Sequence, residues 1–220
     1  MTSKIKLLKE IDYKKEIQVD RLIVDFYLIN WQIKNIKTTR PNINDKELSQ
    51  LVYDEVLKAT KFQYLMIYLK DFFEFNISKE DADNYIKTHF NEKTIQNKNE
   101  MLLNQVKTVI QTKLILNYFI KEFKIEFSDK EAKDQLNYEY KKFNRSIHDI
   151  LNNKNGAFDH YKQNELKSKA IDTLISKFKT NIVTDKIKTQ ITNALKQNAI
   201  FSQNIQFEGF ILKILNDKIK

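Results

Sequence analysis

The 220-residue sequence has no cysteine, one proline (Pro41) and two glycines (Gly156 and Gly209). Without cysteine there is no disulfide framework and no thiol chemistry. Tight turns between paired strands need residues that tolerate positive φ, and such residues are almost absent. Long helices with few connections have no such need, so the composition predicts an all-α fold. Arginine is also scarce, limited to Arg21, Arg40 and Arg145, so lysine carries most of the formal charge of +9. Abundant isoleucine and asparagine accompany it, the bias that an AT-rich coding sequence imposes. Spread among 29 acidic residues, these lysines read as solvated helix faces rather than a phosphate track, and nucleic acid is not the expected partner. The longest uncharged apolar run, FQYLMIYL (Phe62–Leu69), is too short to cross a bilayer. The opening MTSKIKLLKEI lacks the apolar core of a signal peptide. A cytoplasmic protein without a membrane span is expected.

What is present is a set of long apolar helical patterns; apolar residues make up 41% of the chain, enough for a core rather than a disordered tail. Residues 1–18 are polar and basic with scattered apolar points. Val19–Ile36 is bulky and apolar, holds the sole tryptophan Trp31, and is read as a helix. TTRPNIND (Thr38–Asp45) is a linker, because Pro41 lacks a donor and steers Arg40 away from helix. Asn44 or Asp45 caps a helix running to about Phe73, with Leu48, Val52, Val56, Ala59, Phe62, Met66, Leu69 and Phe73 at steps of three and four. A second long helix spans about Asn99 to Phe123, where Leu102, Val109, Leu116 and Phe123 recur every seven residues beside Leu103, Val106, Ile110 and Leu114. Its apolar face is wider than a coiled-coil seam and must be covered on much of its circumference.

Each long helix ends in the same phrase. EFNISKEDADNYI (Glu74–Ile86) and KIEFSDKEAKDQL (Lys124–Leu136) align at an offset of fifty, pairing Phe75 with Ile125, Ile77 with Phe127, Ser78 with Ser128, Asp81 with Glu131, Ala82 with Ala132 and Ile86 with Leu136. Serine followed three residues later by a carboxylate is a helix-capping signature, with Ile77 and Phe127 at the staple position just before it. The repeat predicts two helix–turn–helix units, whose shorter helices cover about Lys79–Phe90 and Asp129–Phe143. Further on, RSIHDILNNKNG reads as a short helix stopped at Gly156, and Phe158–Phe178 as another. Ile187, Ile191 and Leu195 share a helical face, and Phe207 to Leu215 suggest a terminal helix. The chain thus divides into an N-terminal segment and helix (1–41), a helical body with arms (42–180) and an amphipathic C-terminal extension (181–220).

Chemistry-bearing patterns are missing. His89, His148 and His160 lack the i, i+4 spacing that puts two metal ligands on one helix face. No glycine-rich loop follows a strand, and no serine or threonine has a plausible base beside it. No enzyme, cofactor or metal site is expected. What stands out is the surplus of aromatics at helix ends. Phe73, Phe75, Phe123, Phe127, Tyr138, Tyr140, Phe143, Phe158 and Tyr161 are the candidates for contacting polypeptide, if some of them line an open groove instead of filling the core.

NEMLLNQVKTVIQTKLILNYFIKEFKIEFSDKEAKDQL (residues 99–136) and ELKSKAIDTLISKFK (165–179) resemble the C-terminal, substrate-binding domain of trigger factor and the helical arms of SurA-type chaperones. The whole chain, DYKKEIQVDRLIVD included, is similar to a small family of mycoplasmal proteins built like that domain standing alone. The resemblance implies an elongated helical body with hairpin arms around a cleft and an ATP-independent holdase function toward unfolded or nascent polypeptides. It transfers no catalytic residues. The glycine-phenylalanine-arginine ribosome-gripping loop is not seen, and two glycines cannot supply a prolyl-isomerase sheet. The last forty residues lie outside the match and are expected to cover the cleft, extend it or mediate self-association as a homodimer. The competing readings are a scaffold with one fixed protein partner and a basic nucleic-acid binder.

Overall fold

The structure is a computed structural model and describes residues 2–23, 33–34, 36–38, 40–90, 100–141, 147, 151, 156–198 and 216–217. In chain order the elements are β1 (Lys4–Leu7), β2 (Glu16–Val19), α1 (Asp45–Lys70), β3 (Phe73–Asn76), α2 (Lys79–His89), α3 (Glu100–Glu122), α4 (Asp129–Lys141), α5 (Ala157–Lys177), β4 (Lys179–Ile182) and α6 (Thr184–Asn198). The fold is largely helical, as the composition predicts, and four short strands are added to the helical frame. β1 pairs antiparallel with β3, and β2 pairs parallel with β4. Each pair joins segments far apart in sequence, so no hairpin turn is needed. Scarce glycine excludes hairpins; it does not exclude strands. The N-terminal segment, read as loosely patterned, supplies one strand to each pair. Of the helix expected over Val19–Ile36, the start is corrected, since Val19 closes β2 and residues 20–23 are not helical; helix is described at 33–34 and 36–38, and residues 24–32 and 35 lie outside the described residues.

The chain forms two compact units, one of residues 1–13 and 66–177 and the other of residues 14–65 and 178–220. Each gathers sequence from distant parts of the chain, whereas the sequence reading cut it linearly. In the second unit Asn44 caps α1, its Oδ1 accepting the Glu47 N–H at 2.9 Å. Leu48, Val52 and Val56, one helical turn apart, bury with Val19, Leu22, Ile33 and Ile187. Polar groups around this core are paired. Gln190 donates to the Leu22 carbonyl and accepts from its N–H, both at 2.8 Å. The buried Thr60 hydroxyl accepts the Ile23 N–H at 3.0 Å, and Tyr64 donates to Asp20 at 2.6 Å. Asp20 is held below the usual carboxylate range first by the Tyr64 bond and then by Lys186.

In the first unit α3 is the central helix, packed by α2, α5 and β1, while α4 packs on α5. Leu102, Val106, Ile110 and Leu114 bury against Ile86 of α2. Farther along, Phe73, Tyr118, Phe119 and Phe123 form an aromatic cluster with ring centroids 5.0 to 6.3 Å apart. α3 ends in a Schellman turn, with the Ile125 N–H bonded to the Ile120 carbonyl at 2.9 Å and the Lys124 N–H to the Lys121 carbonyl at 3.2 Å. The left-handed position that glycine usually takes is occupied by Lys124, at φ 49°.

Both repeated phrases cap helices. Ser128 and Glu131 make the full reciprocal box: the Ser128 hydroxyl accepts the Glu131 N–H at 3.2 Å, and the Glu131 carboxylate accepts the Ser128 N–H at 2.7 Å. Ser78 accepts the Asp81 N–H at 3.1 Å, but Asp81 does not reach back. Its carboxylate instead accepts the backbone N–H groups of Thr2 and Ser3 at 2.9 and 2.6 Å, and the Ser78 N–H goes to the Ser3 hydroxyl at 3.0 Å. These bonds lower the Asp81 carboxyl to about 2, the contribution of Ser3 being the largest. The segments before the caps differ as well. FEFN is strand β3, whereas residues 123–128 carry no strand.

Candidate functional site

Exposure of large apolar side chains is uneven. Leu7, Leu8, Ile67, Met101, Val109, Tyr138 and Leu151 are the exposed ones among the described residues, and all belong to the first unit. Two of them share a helix face. Glu100, Met101, Asn104, Gln105, Thr108 and Val109 of α3 line an open concavity of about 690 Å³. Met101 is 69% exposed and Val109 41%. At 3.6 residues per turn, Met101 and Phe119 point to the same side of α3, and Val109 and Leu116 nearly so. That side is buried at Ile115, Leu116 and Phe119 and open at Met101 and Val109. The side of the helix that is apolar and covered in its C-terminal half is therefore uncovered and mixed in its N-terminal half, where Met101 and Val109 sit among Asn104, Gln105 and Thr108. The lining bears a single charge, Glu100. Amide and hydroxyl groups from Asn104, Gln105 and Thr108 lie beside a flexible methionine, a surface able to hydrogen-bond a backbone while adapting to varied side chains.

The aromatics singled out from sequence do not assemble into one surface. Phe73 is 5% exposed and belongs to the core: α1 ends at Lys70, and the strand that follows turns this ring onto Tyr118 and Phe119. Phe75 and Ile77 pack against the α2–α3 core. Phe123 is half-buried, its ring 6.1 Å from Tyr13 and 5.3 Å from Phe119, with the Lys177 ammonium 5.6 Å away. Phe127 and Phe158 are half-buried with Lys169 and Lys133 ammonium groups near their rings. Tyr140 and Tyr161 are half-buried too. Tyr138 is 65% exposed. Phe143 lies outside the described residues. Sequence reasoning missed Met101 and ranked Val109 with the buried stripe. The signal was there in part, since residues 100–109 of that wide apolar helix hold one lysine.

No group of side chains able to hold a metal ion occurs among the described residues. His89 is used locally, stacked on Tyr85 at 4.0 Å with Nδ1 3.0 Å from the Tyr85 carbonyl. His160 is exposed, and His148 is outside the described residues. Burial, then Glu122, raises the phenols of Tyr13 and Tyr118. No described helix is long and apolar enough to cross a membrane.

No protein-family model matches the chain. It is 28% identical over 156 residues to the uncharacterized protein MG377 of Mycoplasma genitalium, spanning 68% of this chain and 77% of that one. It is 25% identical over 180 residues to the MG377 homolog of Mycoplasma pneumoniae, spanning 81% and 92%. Among solved structures it is similar to the crystal structure of the hypothetical Mycoplasma protein MPN555, with a TM-score of 0.69 and 24% identity over 83% of this chain and 92% of that one. At that identity the likeness establishes a shared fold and nothing beyond it.

Proposed function

We propose that the protein is an ATP-independent holdase whose first unit holds unfolded or nascent polypeptide, with the open face of α3 as one of its contact surfaces. The observation that carries this reading is the concentration of exposed apolar side chains in that unit, with Met101 and Val109 open on the side of α3 that is buried farther along at Ile115, Leu116 and Phe119. The resemblance of residues 99–136 to the trigger-factor substrate domain supports it. Magnitudes set the mode of binding. Burying Met101 and Val109 contributes about 2 kcal/mol each, which roughly offsets the smallest association cost of about 4 kcal/mol. This face alone would bind no tighter than millimolar. A client must therefore be long enough to touch other apolar points of the unit, such as Leu7, Leu8, Ile67 and Tyr138. Folded proteins offer no such flexible apolar chain; unfolded ones do.

The test is suppression of aggregation of a chemically denatured model protein by the wild-type chain and by a Met101→Asp/Val109→Asp double variant. Both positions are exposed, so the variant should keep its stability within about 1 kcal/mol, verified by circular dichroism, and protect markedly less well. Absence of protection by the wild type at several-fold molar excess, or equal protection by the variant, overturns the proposal. Recovery of one stoichiometric partner from cell extract, with no protection of model clients, favours a fixed-partner scaffold instead.

A further inference from the structure

Beyond the α3 face, we propose that the outer edge of β1 is a strand-addition site for an extended acidic–apolar peptide segment. The phase of the β1–β3 ladder shows which backbone groups point outward. The pairing sets Lys4 opposite Asn76, Ile5 opposite Phe75, Lys6 opposite Glu74 and Leu7 opposite Phe73. Continuing that register places Leu8 opposite Phe72, and the Leu8 N–H donates to the Phe72 carbonyl at 2.9 Å. Leu8 and Phe72 are thus a hydrogen-bonded pair. Such pairs alternate with non-hydrogen-bonded ones in an antiparallel ladder. Lys4 and Lys6 therefore bond inward to β3, and the N–H and C=O of Ile5 and Leu7 point away from it. Among the described residues no strand lies on that side of β1. An edge with free donors and acceptors is a template for another chain, and peptides dock on such edges by main-chain bonding plus alternate side-chain pockets.

The pocket is present. Ser3 just before β1, Lys4 and Ile5 on β1, and Leu114, Asn117, Tyr118 and Lys121 on α3 line an open groove of about 480 Å³. Its apolar parts are Ile5, Leu114 and the Tyr118 ring. Its only charges are cationic. Lys4 faces uncharged Asn76 across the ladder, and neither Lys4 nor Lys121 forms an ion pair among the described residues. Lys6, by contrast, lies opposite Glu74. The groove therefore matches a segment that sends apolar side chains toward Leu114 and Tyr118 and carries carboxylates that reach Lys4 and Lys121. Leu7 and Leu8, 37% and 58% exposed just past the groove, extend the apolar edge.

The experiment titrates a fluorescent peptide of alternating valine and glutamate into the full-length protein, with backbone amide exchange read at β1. The expected result is that saturating peptide slows exchange at Ile5 and Leu7 at least tenfold and leaves the already bonded Lys4 and Lys6 nearly unchanged. A peptide N-methylated at every second residue on its bonding edge should bind at least tenfold more weakly, as should the unmodified peptide to a Lys4→Glu/Lys121→Glu variant. Leu7→Pro removes an outward donor without removing a ladder bond and should also weaken binding. If that variant misfolds, the N-methylated peptide decides alone. No binding, binding without slowed exchange at Ile5 and Leu7, or indifference to N-methylation each overturns the proposal. So does single-stranded RNA giving the same protection with higher affinity, which would make the groove a phosphate site. The Met101→Asp/Val109→Asp variant should take up the short peptide as the wild type does, so this site and the α3 face fail or stand separately.

Discussion

Replacing Ser78 with alanine removes an oxygen that serves two masters. It accepts the Asp81 N–H at 3.1 Å, capping α2, and the Thr2 hydroxyl at 2.6 Å, tying the start of the chain to that cap. The Ser128 oxygen serves its own helix, accepting the Glu131 N–H and donating to the Glu131 carboxylate at 2.8 Å. Losing a serine cap costs about 1 kcal/mol. Ser128→Ala also loses the exposed bond to the Glu131 carboxylate, but water and the Ser128 N–H still satisfy that carboxylate, so its expectation stays at about 1 kcal/mol. Ser78→Ala adds a lost long-range hydrogen bond at about 1 kcal/mol, giving about 2 kcal/mol in all. A difference of about 1 kcal/mol corresponds to a Tm gap of roughly 2–8 °C for domains of this size range, within reach of calorimetry. The location of the damage is the sharper readout. Ser78→Ala should speed amide exchange at Lys4 and Lys6, the inward-bonded residues of β1, about fivefold to tenfold, whereas Ser128→Ala should leave them alone. An equal or larger loss for Ser128→Ala, or a β1 indifferent to Ser78→Ala, would refute the assignment of Ser78 as the latch of the N-terminal strand.

The remaining predictions bear on the same joints. Lys124 holds a left-handed conformation at φ 49°, which costs a side-chain-bearing residue about 1–2 kcal/mol; after allowing for the greater unfolded-chain entropy of glycine, Lys124→Gly should stabilise by about 0.5 kcal/mol in urea titration. Gly156, at φ +70°, has no atom near enough to clash with an added Cβ, so Gly156→Ala should cost only the backbone strain, about 1 kcal/mol, by the same assay. Asp81 has its carboxyl lowered from 3.8 to about 2. A depressed carboxylate contributes stability that is present above its unfolded value and lost as pH falls through the folded one. The wild type should therefore lose β1 protection between about pH 4 and pH 2, and Asp81→Asn should show reduced protection at neutral pH with a flatter acid limb.

Helix limits were legible because their signals are local. α2, α3, α4 and α5 begin and end within two residues of where caps and apolar periodicity put them, since a serine three residues before a carboxylate or a run of i, i+4 leucines acts through its own turn of helix. Strands were not legible, because pairing is a long-range choice. KIKL and EIQV alternate polar and apolar residues over only four positions, too short a run to stand out, and their partners lie dozens of residues away or more, with nothing in either segment announcing FEFN or KTNI. The aromatic candidates fared unevenly for a related reason. Fullness of a side chain is visible in sequence, but whether its ring turns inward depends on which strand or helix lies over it. Phe73 became core once β3 formed; Met101, a quieter residue, remained at the surface.

The divergence of the two repeated phrases follows from one extra partner. In both, an apolar pair flanks the end of a long helix and a serine starts the next one. At Ser128 the glutamate is long enough to reach back to the cap N–H, so the box closes on itself. At Ser78 the carboxylate is aspartate, one methylene shorter, and it is the Ser3 hydroxyl that accepts the cap N–H, while Asp81 takes the Thr2 and Ser3 amides instead. That exchange anchors the N-terminal segment beside β3, where Ile5 and Leu7 meet Phe75 and Phe73 at the closely spaced, non-hydrogen-bonded positions of the ladder. The strand so formed has only one neighbour, and its other edge opens onto α3 beside Lys4 and Lys121. A one-methylene difference in a capping residue thus accompanies the presence of an exposed backbone edge in one repeat and its absence in the other. Asp81→Glu, which restores the reach of the box, should weaken the Thr2 and Ser3 bonds and raise amide exchange along β1; unchanged exchange there would show that the strand is held by its apolar pairs alone.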